Sequence, residues 1–416
     1  MEFLPIIYLT YMFIALYFLF FFLLIYFRNR KTMFHYPEAN KEYTVSIIVP
    51  CYNEETSIKE TVKTILASDY KGLKKIIVVD DCSQDNSYKI IKKMAEKDKR
   101  IIAVQTPKNL GRAASAKNYG LQFADTDIIG FSDADSFPEE DAIRKCLGFF
   151  NDEKVGAVTC SVLVKRPVKF IEKLQSMEYA VIAWTRKLLG YVDGIWAMPG
   201  PLALYKKEVL QKIKGFDENN LTEDIEITWH VIQAGYKVEM CLPAKVYSIA
   251  PAKKIYWIKQ RIRWNIGGLQ CIAKYKKNFF SKLGYFIIPF FTLSMFLGLA
   301  GIIIFSYLAL KNIISTYLFT QYSFVAGTSL ITMESLYITP SILNLFGVVL
   351  FALGAFFTIF GLAIMKETPF RGFRNIFNLL FYMIVYLTIY PVLLVLAIGK
   401  VIGYKMQGKR IGWGTK

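Results

Sequence analysis

Three groups of acidic residues in this chain could bind a cation or accept a proton. Asp133 and Asp135 form an Asp-X-Asp pair, and in an extended chain their side chains point to the same side. Two such carboxylates suit a hard divalent ion, Mg²⁺ or Mn²⁺, whose other ligands come from phosphate oxygens. Asp81 lies upstream, and Glu223 and Asp224 open a predicted helix, where a carboxylate could act as a general base. The pattern predicts metal-assisted chemistry on a phosphate-containing substrate.

A second group of functional side chains lies shortly before a long apolar run. The segment QRIRW contains Gln260, Arg261, Arg263 and Trp264. Arginine forks pair with phosphate oxygens, and a tryptophan offers a flat apolar face for a sugar ring. The same residues are typical of an amphipathic helix at a membrane surface, with snorkelling arginines and an interfacial tryptophan. Both interpretations can hold for residues 256–277.

Short apolar runs alternate with helical patterns in the part of the chain that carries these acids. Strands are predicted within residues 43–55, 74–87, 100–106 and 127–136, with helices between them. This alternation predicts a parallel, doubly wound α/β sheet, which binds ligands beyond the carboxyl ends of its strands. An acid at one strand end is typical of a helix N-cap, but three clusters along one sheet edge indicate a site. The residues at these ends are Tyr52, Asn53, Glu54, Asp80, Asp81, Asp133 and Asp135.

Long apolar runs flank this domain and account for the high hydrophobic content of 54%. Residues 5–27 carry no charge and are long enough to cross a bilayer as a retained anchor. Arg28 to Lys31 follow, so the positive-inside rule places the next domain in the cytoplasm. Further apolar runs occupy residues 286–310, 342–365 and 376–402. The chain is therefore predicted to be an integral protein of the plasma membrane with a cytoplasmic catalytic domain.

The number of membrane crossings has two interpretations. The basic stretches 366–371 and 404–410 look cytoplasmic, which requires an even number of crossings after the domain, yet three are clear. Either residues 313–333 form a weak fourth span, or one segment lies along the interface or re-enters, with Pro391 marking the break. The weak span is the favoured interpretation.

Charge and composition narrow the classes of function. The net charge of +18 suits a surface that faces anionic lipid, and it is compatible with a cleft for an anionic substrate. Neither GxGxxG nor GxxxxGK[ST] occurs, and no basic run interleaved with aromatic residues indicates a nucleic-acid partner. The six cysteines form no CxxC pair, so free thiols are expected, and two histidines cannot form a histidine-based metal site. No motif indicates an oligomeric state.

The ordered motifs resemble those of one enzyme family. PCYNEE, VVDDCSQDNS, FSDADS, LTED and QRIRW, followed by membrane spans, resemble the processive, inverting, membrane-embedded glycosyltransferases of family 2. These are the hyaluronan, chitin, poly-N-acetylglucosamine and cellulose synthases. The resemblance covers nearly the whole chain. It implies a GT-A type α/β domain inserted between transmembrane helices, with amphipathic interface helices.

The resemblance also implies the reaction and its participants. The donor would be a UDP-sugar, UDP-GlcNAc with or without UDP-GlcA, and the cofactor Mg²⁺ or Mn²⁺. A growing polysaccharide would be the acceptor, and the β-linked product would be extruded across the lipid bilayer. A first alternative is a non-processive membrane glycosyltransferase with a lipid acceptor, because QRIRW also occurs in ceramide glucosyltransferase-like enzymes. A second is a transporter or scaffold whose α/β domain only binds nucleotide.

Donor-site roles follow from the resemblance, residue by residue. Tyr52 would lie beside the uracil ring, Asp81 would be its hydrogen-bonding partner, and Arg112 would approach the diphosphate. Asp133 would contact the nucleotide sugar and, with Asp135, the metal. The residues predicted to bind the donor at this edge are Pro50, Tyr52, Glu54, Asp81, Arg112 and Asp133.

Motifs later in the chain are expected to bind the acceptor and the diphosphate leaving group. Asp224, beside Glu223, resembles the catalytic base, and Trp264 would help to shape the acceptor end. The residues that resemble diphosphate contacts are Gln260, Arg261 and Arg263.

Two further stretches narrow the resemblance. GPLALYKKEVL (200–210) resembles an acceptor-side segment of hyaluronan and chitooligosaccharide synthases. WGTK, with Trp413 and Lys416, resembles the WGTR gating motif of hyaluronan synthases. This sequence departs from the motif at its last position, where lysine would replace the forked phosphate contact of arginine with a point charge. A second departure is the single clear N-terminal span, where hyaluronan synthases often have two.

The predicted organisation has five parts. They are an N-terminal anchor (residues 1–30), a cytoplasmic GT-A domain (41–250), an interface region with QRIRW (251–282), C-terminal transmembrane helices (283–402) and a cytoplasmic tail (403–416). The amphipathic stretch 168–192 is a second candidate for an interface helix.

Overall fold

The structure is a computed structural model and describes residues 3–278, 281, 283–327, 342–366 and 373–408. The strands are β1 (Val45–Cys51), β2 (Leu73–Asp80), β3 (Ile101–Gln105), β4 (Ile128–Phe131), β5 (Ser136–Pro138), β6 (Val155–Val164), β7 (Ala203–Lys206) and β8 (Lys237–Ser248). The helices are α1 (Phe3–Asn29), α2 (Ile58–Leu66), α3 (Ser87–Ala95), α4 (Ala113–Leu121), α5 (Ala142–Leu147), α6 (Phe170–Gly190), α7 (Lys207–Ile213), α8 (Glu223–Gln233), α9 (Lys254–Tyr275), α10 (Ile288–Val325), α11 (Ile342–Ile364), α12 (Phe373–Phe381) and α13 (Leu387–Met406). A 3₁₀ helix spans Gly148–Asn151, and π-helices span Leu283–Ile287 and Tyr382–Tyr386.

An eight-stranded sheet forms the centre of the domain, in the order β3-β2-β1-β4-β7-β6-β8-β5. The pairs β3–β2, β2–β1 and β1–β4 are parallel, which confirms the doubly wound half predicted from the alternating pattern. The other half is mixed: β7 runs antiparallel to β4 and β6, β5 runs antiparallel to β8, and β6 and β8 are parallel. The sequence had predicted only the first four strands.

Both faces of the parallel half are covered, which explains why its strands are almost continuously apolar. Val45, Ile47 and Val49 of β1 pack in one core cluster with residues of α2, α3 and α5. Ile48 points to the opposite face and packs in a second cluster with residues of α4, α6 and α8. Alternate residues of one strand therefore bind two helical layers to the sheet. Pro50 is tolerated in this strand because it lies beyond the last β1–β4 pair, Ile48 with Phe131.

Among the described residues, four helices are long and apolar enough to cross a membrane: Pro5–Asn29, Leu283–Val325, Gly347–Ile364 and Asn375–Met406. They coincide with the four clear apolar runs of the sequence. The separate weak span expected at 313–333 is not present in its described part, because residues 313–325 continue α10. Residues 328–333 lie outside the described residues. The 38 residues of α10 measure about 57 Å, well above a hydrocarbon core of about 30 Å.

Pro391 does not break its helix, contrary to one of the two interpretations of the sequence. It lies inside α13, and the π-helix Tyr382–Tyr386 precedes it. A proline ring collides with the carbonyl group four residues earlier in a regular helix, and an upstream π turn is a common way to relieve such strain.

Two amphipathic helices join the domain to the apolar helices, as predicted for residues 168–192 and 256–277. Helix α6 contacts β6 and β8 on one side and α11 and α1 on the other. The approach to α11 is close, since a Cβ on Gly361 would lie 2.3 Å from the ring of Trp184. Helix α9 contacts both α8 and α13. The six cysteines are free thiols, as expected.

Candidate active site

The carboxyl ends of β1, β2 and β4 meet at one edge of the sheet. Cys51 of β1 pairs with Asp80 of β2, and Ile48 of β1 pairs with Phe131 of β4. The polar residues that follow each strand are therefore neighbours, as the sequence predicted. The turn after β1 is bonded to the turn after β2, with the Asn53 N–H donating to Ser83 Oγ at 2.9 Å. Tyr52 in the first turn is 39% exposed, and its predicted place beside a nucleotide base stays a prediction.

Asp81 shapes the loop that leads to Arg112. Its Oδ1 accepts hydrogen bonds from Thr106 Oγ1 at 2.9 Å and from the Leu110 N–H at 2.8 Å. Its Oδ2 accepts from the N–H of Gly111, whose φ of +71° favours glycine. The role of Asp81 as partner of a nucleotide base stays a prediction, because here its oxygens organise the loop. Arg112 in turn donates to the Glu218 carbonyl oxygen and ties this loop to the segment before α8.

The Asp-X-Asp pair lies in a turn. Strand β4 ends at Phe131, and the Ser136 N–H donates to the Asp133 carbonyl oxygen at 3.1 Å. The extended geometry expected for Asp133 and Asp135 is therefore wrong. The two carboxyl groups still interact. Burial raises the pKa of Asp135 to about 7, and the charges of Asp133 and Glu54 add to this rise.

The donor chemistry of this turn fits a divalent cation held in part by substrate. Within the described ranges, no three or more His, Cys, Asp or Glu residues are arranged to hold a metal ion. Two carboxylates with phosphate oxygens as further ligands match the preference of Mg²⁺ and Mn²⁺. The backbone of Gly200 closes one side of this cluster, since a Cβ there would lie 2.5 Å from Asp133 Oδ2.

Two adjacent carboxylates at the start of α8 have opposite environments. Glu223 Oε1 accepts a hydrogen bond from Lys117 Nζ at 2.9 Å, in an ion pair whose side chains are 10% and 1% exposed. Burial raises the pKa of Glu223, but Lys117 and Arg263 outweigh it and lower the pKa overall. Burial and the neighbouring Glu223 instead raise the pKa of Asp224 to about 6. Asp224 is thus the better proton acceptor of the two near neutral pH. Glu223 was predicted to be catalytic together with Asp224, but its carboxylate is engaged in the ion pair with Lys117.

Helix α9 docks directly on the loop before α8. Arg263 Nη1 donates to the Leu221 carbonyl oxygen at 3.1 Å, and the Leu221 N–H donates to Gln270 Oε1 at 2.9 Å. A Cβ on Gly267 would lie 1.9 Å from Thr222 Oγ1, so a glycine is needed for this close approach. Burial raises the pKa of Asp133 and of Asp224, and the charge of Arg263 opposes both shifts, so this guanidinium lies near the acids. Its predicted contact with a diphosphate stays a prediction.

The other residues of QRIRW occupy a different environment. Arg261 is fully buried and forms an ion pair with Glu178. This environment differs from the open position expected of a diphosphate contact, and the predicted role of Arg261 stays a prediction. Gln260 Oε1 accepts a hydrogen bond from Arg261, and the Trp264 ring centroid lies 3.9 Å from the Arg261 guanidinium carbon. Trp413 and Lys416 lie outside the described residues, so the gating motif stays a prediction.

Sequence reasoning missed three buried charged residues, of which Lys117 and Arg186 lie near the acids and Glu178 pairs with Arg261. Lys117 had one visible signal: it is a single charge in a stretch of small residues, AASAKNYG. Glu178 and Arg186 of α6 had none, because charges are expected on an amphipathic helix. Burial lowers the pKa of Arg186 to about 10, with the charges of Cys160 and Asp224 acting in the opposite direction.

Comparisons with known proteins identify the family that this domain resembles. Residues 46–214 match the model of Glycosyl transferase family 2. The poly-beta-1,6-N-acetyl-D-glucosamine synthase of Staphylococcus aureus (strain COL) is 30% identical over 241 residues, which cover 58% of this chain and 57% of the relative. The probable glycosyltransferase YdaM of Bacillus subtilis (strain 168) is 31% identical over 273 residues, or 62% and 64% of the two chains. The chain thus spans less than two thirds of these curated relatives.

One solved structure is similar over nearly the whole chain. The mannosyltransferase PcManGT from Pyrobaculum calidifontis, solved in complex with GDP-Man and Mn²⁺, has a TM-score of 0.56 and 21% identity. The match covers 94% of this chain and 98% of that chain. At this identity the likeness shows the fold, which agrees with the predicted α/β domain of GT-A type.

Proposed function

We propose that this chain, whose residues 46–214 match the model of Glycosyl transferase family 2, is a processive, inverting enzyme that polymerises a UDP-sugar into a β-linked polysaccharide. The observation that carries this proposal is the pair of adjacent carboxylates with divergent pKa values, Glu223 and Asp224, beside Asp133, Asp135 and Arg263. Transfer of a sugar from a nucleotide diphosphate needs a base, a metal site and positive charge, and this cluster offers all three chemistries.

The sugar is proposed from the relatives. A similar curated protein is named as a poly-beta-1,6-N-acetyl-D-glucosamine synthase, which favours UDP-GlcNAc as donor, alone or with UDP-GlcA. The four apolar helices support a membrane protein. Arg28 to Lys31, directly after the first apolar run, support a cytoplasmic domain that draws donor from the cytoplasm and extrudes its polymer across the bilayer.

The proposed reaction is a single displacement. The Asp224 carboxylate accepts the proton of the acceptor hydroxyl, whose oxygen bonds to the anomeric carbon as the bond from that carbon to the UDP oxygen breaks. Attack from the opposite face converts an α-linked donor into a β-linked product. Arg263 supplies positive charge near the departing diphosphate. Asp135 and Asp133 would hold Mg²⁺ or Mn²⁺, which when bound neutralises phosphate charge, and the similar mannosyltransferase was solved with Mn²⁺.

The test uses the full chain in nanodiscs, with UDP release and product length as readouts. UDP-GlcNAc, UDP-GlcA, UDP-Glc and the GlcNAc plus GlcA pair are each supplied with Mg²⁺ or Mn²⁺, and parallel samples contain a chelator. We expect long product from UDP-GlcNAc alone, or from the pair, and none with chelator. Short or lipid-linked product from a single donor would instead mean a non-processive enzyme. Absence of UDP release from all donors would leave a nucleotide-binding scaffold.

A further inference from the structure

Arg261 uses three of its nitrogens within the protein. Its Nε donates to Tyr390 Oη at 2.8 Å, its Nη1 donates to Gln260 Oε1 at 2.8 Å, and its Nη2 donates to Glu178 Oε2. One face of the guanidinium lies over the Trp264 ring, 3.9 Å from its centroid. The side chain is 0% exposed. The Arg261 guanidinium therefore acts as a structural anchor, by which we mean a group whose hydrogen bonds are made within the protein rather than to a ligand.

The anchor extends to three structural elements. Glu178 on α6 is 4% exposed and accepts a second hydrogen bond from Tyr386 Oη at 2.7 Å. Tyr386 Oη in turn accepts from Trp257 Nε1 at 2.7 Å. Tyr386 ends the π-helix before α13, and Tyr390 lies within α13. One buried ion pair and its hydrogen bonds thus join α6, α9 and the last apolar helix.

On α9, Arg261 of this anchor and Arg263 of the candidate active site are two positions apart. Successive residues of a helix are rotated by about 100°, so Arg261 and Arg263 point about 200° apart. Arg263 faces the loop before α8, where it bonds to the Leu221 carbonyl oxygen. A rotation or shift of α9 about its axis would therefore move Arg263 relative to Glu223 and Asp224. A buried ion pair with satisfied hydrogen bonds is suited to fix such a rotation, because every alternative position leaves a buried charge unpaired.

We infer that Glu178, Arg261, Tyr386 and Tyr390 form a positioning site, which holds α9 so that Arg263 stands among the active-site acids. Arg261 acts through α9 and makes no contact with the donor. Because the two tyrosines belong to the segment of the last apolar helix, the position of that helix is coupled to the geometry of the catalytic cluster. The effect on turnover rests on the proposed function.

The test compares Glu178→Gln, Arg261→Gln and the double variant as full chains in nanodiscs. Steady-state UDP release gives kcat and the donor KM, and equilibrium binding of UDP gives its dissociation constant. We expect each single variant to lower kcat by about tenfold or more with UDP affinity within about twofold, since an unpaired buried charge displaces the helix. The double variant should be no worse than the poorer single variant, because the two changes remove one interaction.

A direct diphosphate contact would give a different result. Arg261→Gln would then weaken UDP binding by about tenfold or more, whereas Glu178→Gln would leave kcat and UDP affinity near the wild-type values. That outcome would overturn the inference. Lys259→Gln is the matched control, because Lys259 is an exposed cation on the same helix, and its kcat should stay within about twofold of wild type.

Milder variants cover the case in which the charge variants do not fold. Tyr390→Phe keeps the ring and removes the hydroxyl that accepts from Arg261, so it should lower kcat by about fivefold, the usual effect of one hydrogen bond. Tyr386→Phe removes a hydroxyl that makes two hydrogen bonds and should lower kcat at least as much. Wild-type kcat in both would contradict the inference.

A readout without donor separates this inference from the proposed function. Amide hydrogen exchange across Lys254–Tyr275 is measured in the absence of any sugar nucleotide. We expect faster exchange in the tyrosine variants than in Lys259→Gln. If wild-type protein released no UDP from any donor, the proposed function would fail while this comparison still tested the anchor. Unchanged exchange in both tyrosine variants would overturn the anchor, whatever the reaction.

Discussion

Lys117 Nζ lies 2.9 Å from Glu223 Oε1 in an ion pair with side-chain exposures of 1% and 10%. This pair distinguishes two adjacent carboxylates that look equivalent in the motif LTED. Glu223 is held ionised by its partner, and its charge helps burial to raise the pKa of Asp224 to about 6. The first three predictions depend on this division of roles.

Replacement of Asp224 by asparagine should remove the proton acceptor and leave the donor site intact. General-base catalysis typically contributes about 10²–10⁴-fold, so kcat of Asp224→Asn should fall by about that range with UDP affinity within about twofold. Steady-state UDP release and equilibrium UDP binding measure the two quantities. Asp125→Asn, at an exposed acid in a surface pair with Lys75, is the matched control. A variant that kept more than about a tenth of wild-type turnover would exclude the base role.

Turnover should decline in acid as Asp224 takes up a proton. The base acts only when ionised, and burial with the charge of Glu223 raises its pKa above the usual value of 3.8, to about 6. The profile of kcat against pH at saturating donor should therefore be flat above this pKa and fall about tenfold per pH unit below it. UDP binding over the same pH range separates this effect from donor ionisation. A fall in kcat centred near the usual pKa of aspartate would contradict the assignment of Asp224 as the base.

Loss of Lys117 should destabilise the protein, because it leaves Glu223 buried and unpaired. Breaking a buried pair by removing one partner costs roughly 3–5 kcal/mol, so the free energy of unfolding of Lys117→Met should fall by about that amount. Denaturant titration of the full chain measures it. Adding Glu223→Gln should restore part of the loss, since no charge then remains unpaired. Lys75→Met, in an exposed pair, should have a much smaller effect.

Gly200→Ala should disturb the proposed metal site rather than the base. Its Cβ would lie 2.5 Å from Asp133 Oδ2 and 2.6 Å from Oδ1, so the carboxylate has to move. Overpacking of this kind costs about 1–3 kcal/mol, and the Mn²⁺ concentration that gives half-maximal UDP release should rise by at least about fivefold. Gly354→Ala is the control, because a Cβ there meets open space. An unchanged Mn²⁺ dependence would show that the Asp133 carboxylate accommodates the methyl group without loss.

The sheet edge that carries the candidate site could be predicted from sequence because its signals are local. Each parallel strand is an apolar run covered on both faces, and its end is marked by polar residues such as Tyr52, Asp81 and Asp133. Once the strands were assigned, the rule that ligands bind beyond their carboxyl ends brought these residues together. The turn at Asp133 was missed because the strand pattern and the turn pattern overlap over a few residues.

Other features depend on contacts that leave no local trace. Strands β6, β7 and β8 pair across long stretches of chain, and nothing in their own residues specifies those partners. Arg261 was predicted to bind the diphosphate because it lies in the same motif as Gln260 and Arg263. The burial of its side chain depends on Glu178, which is 83 residues away in the sequence. The continuation of α10 through residues 313–325 was missed because Lys311 interrupts the apolar run without breaking the helix.

The two faces of α9 determine how variants in QRIRW should be interpreted. Arg261 and Arg263 are the same residue type, two positions apart, yet one is enclosed by α6 and α13 while the other lies among the acids of the active site. A mutational scan of this motif should therefore separate into two phenotypes according to the side of the helix. Inactivity alone would not identify a residue as a substrate contact, because loss of the contacts between helices and loss of a ligand contact both abolish activity.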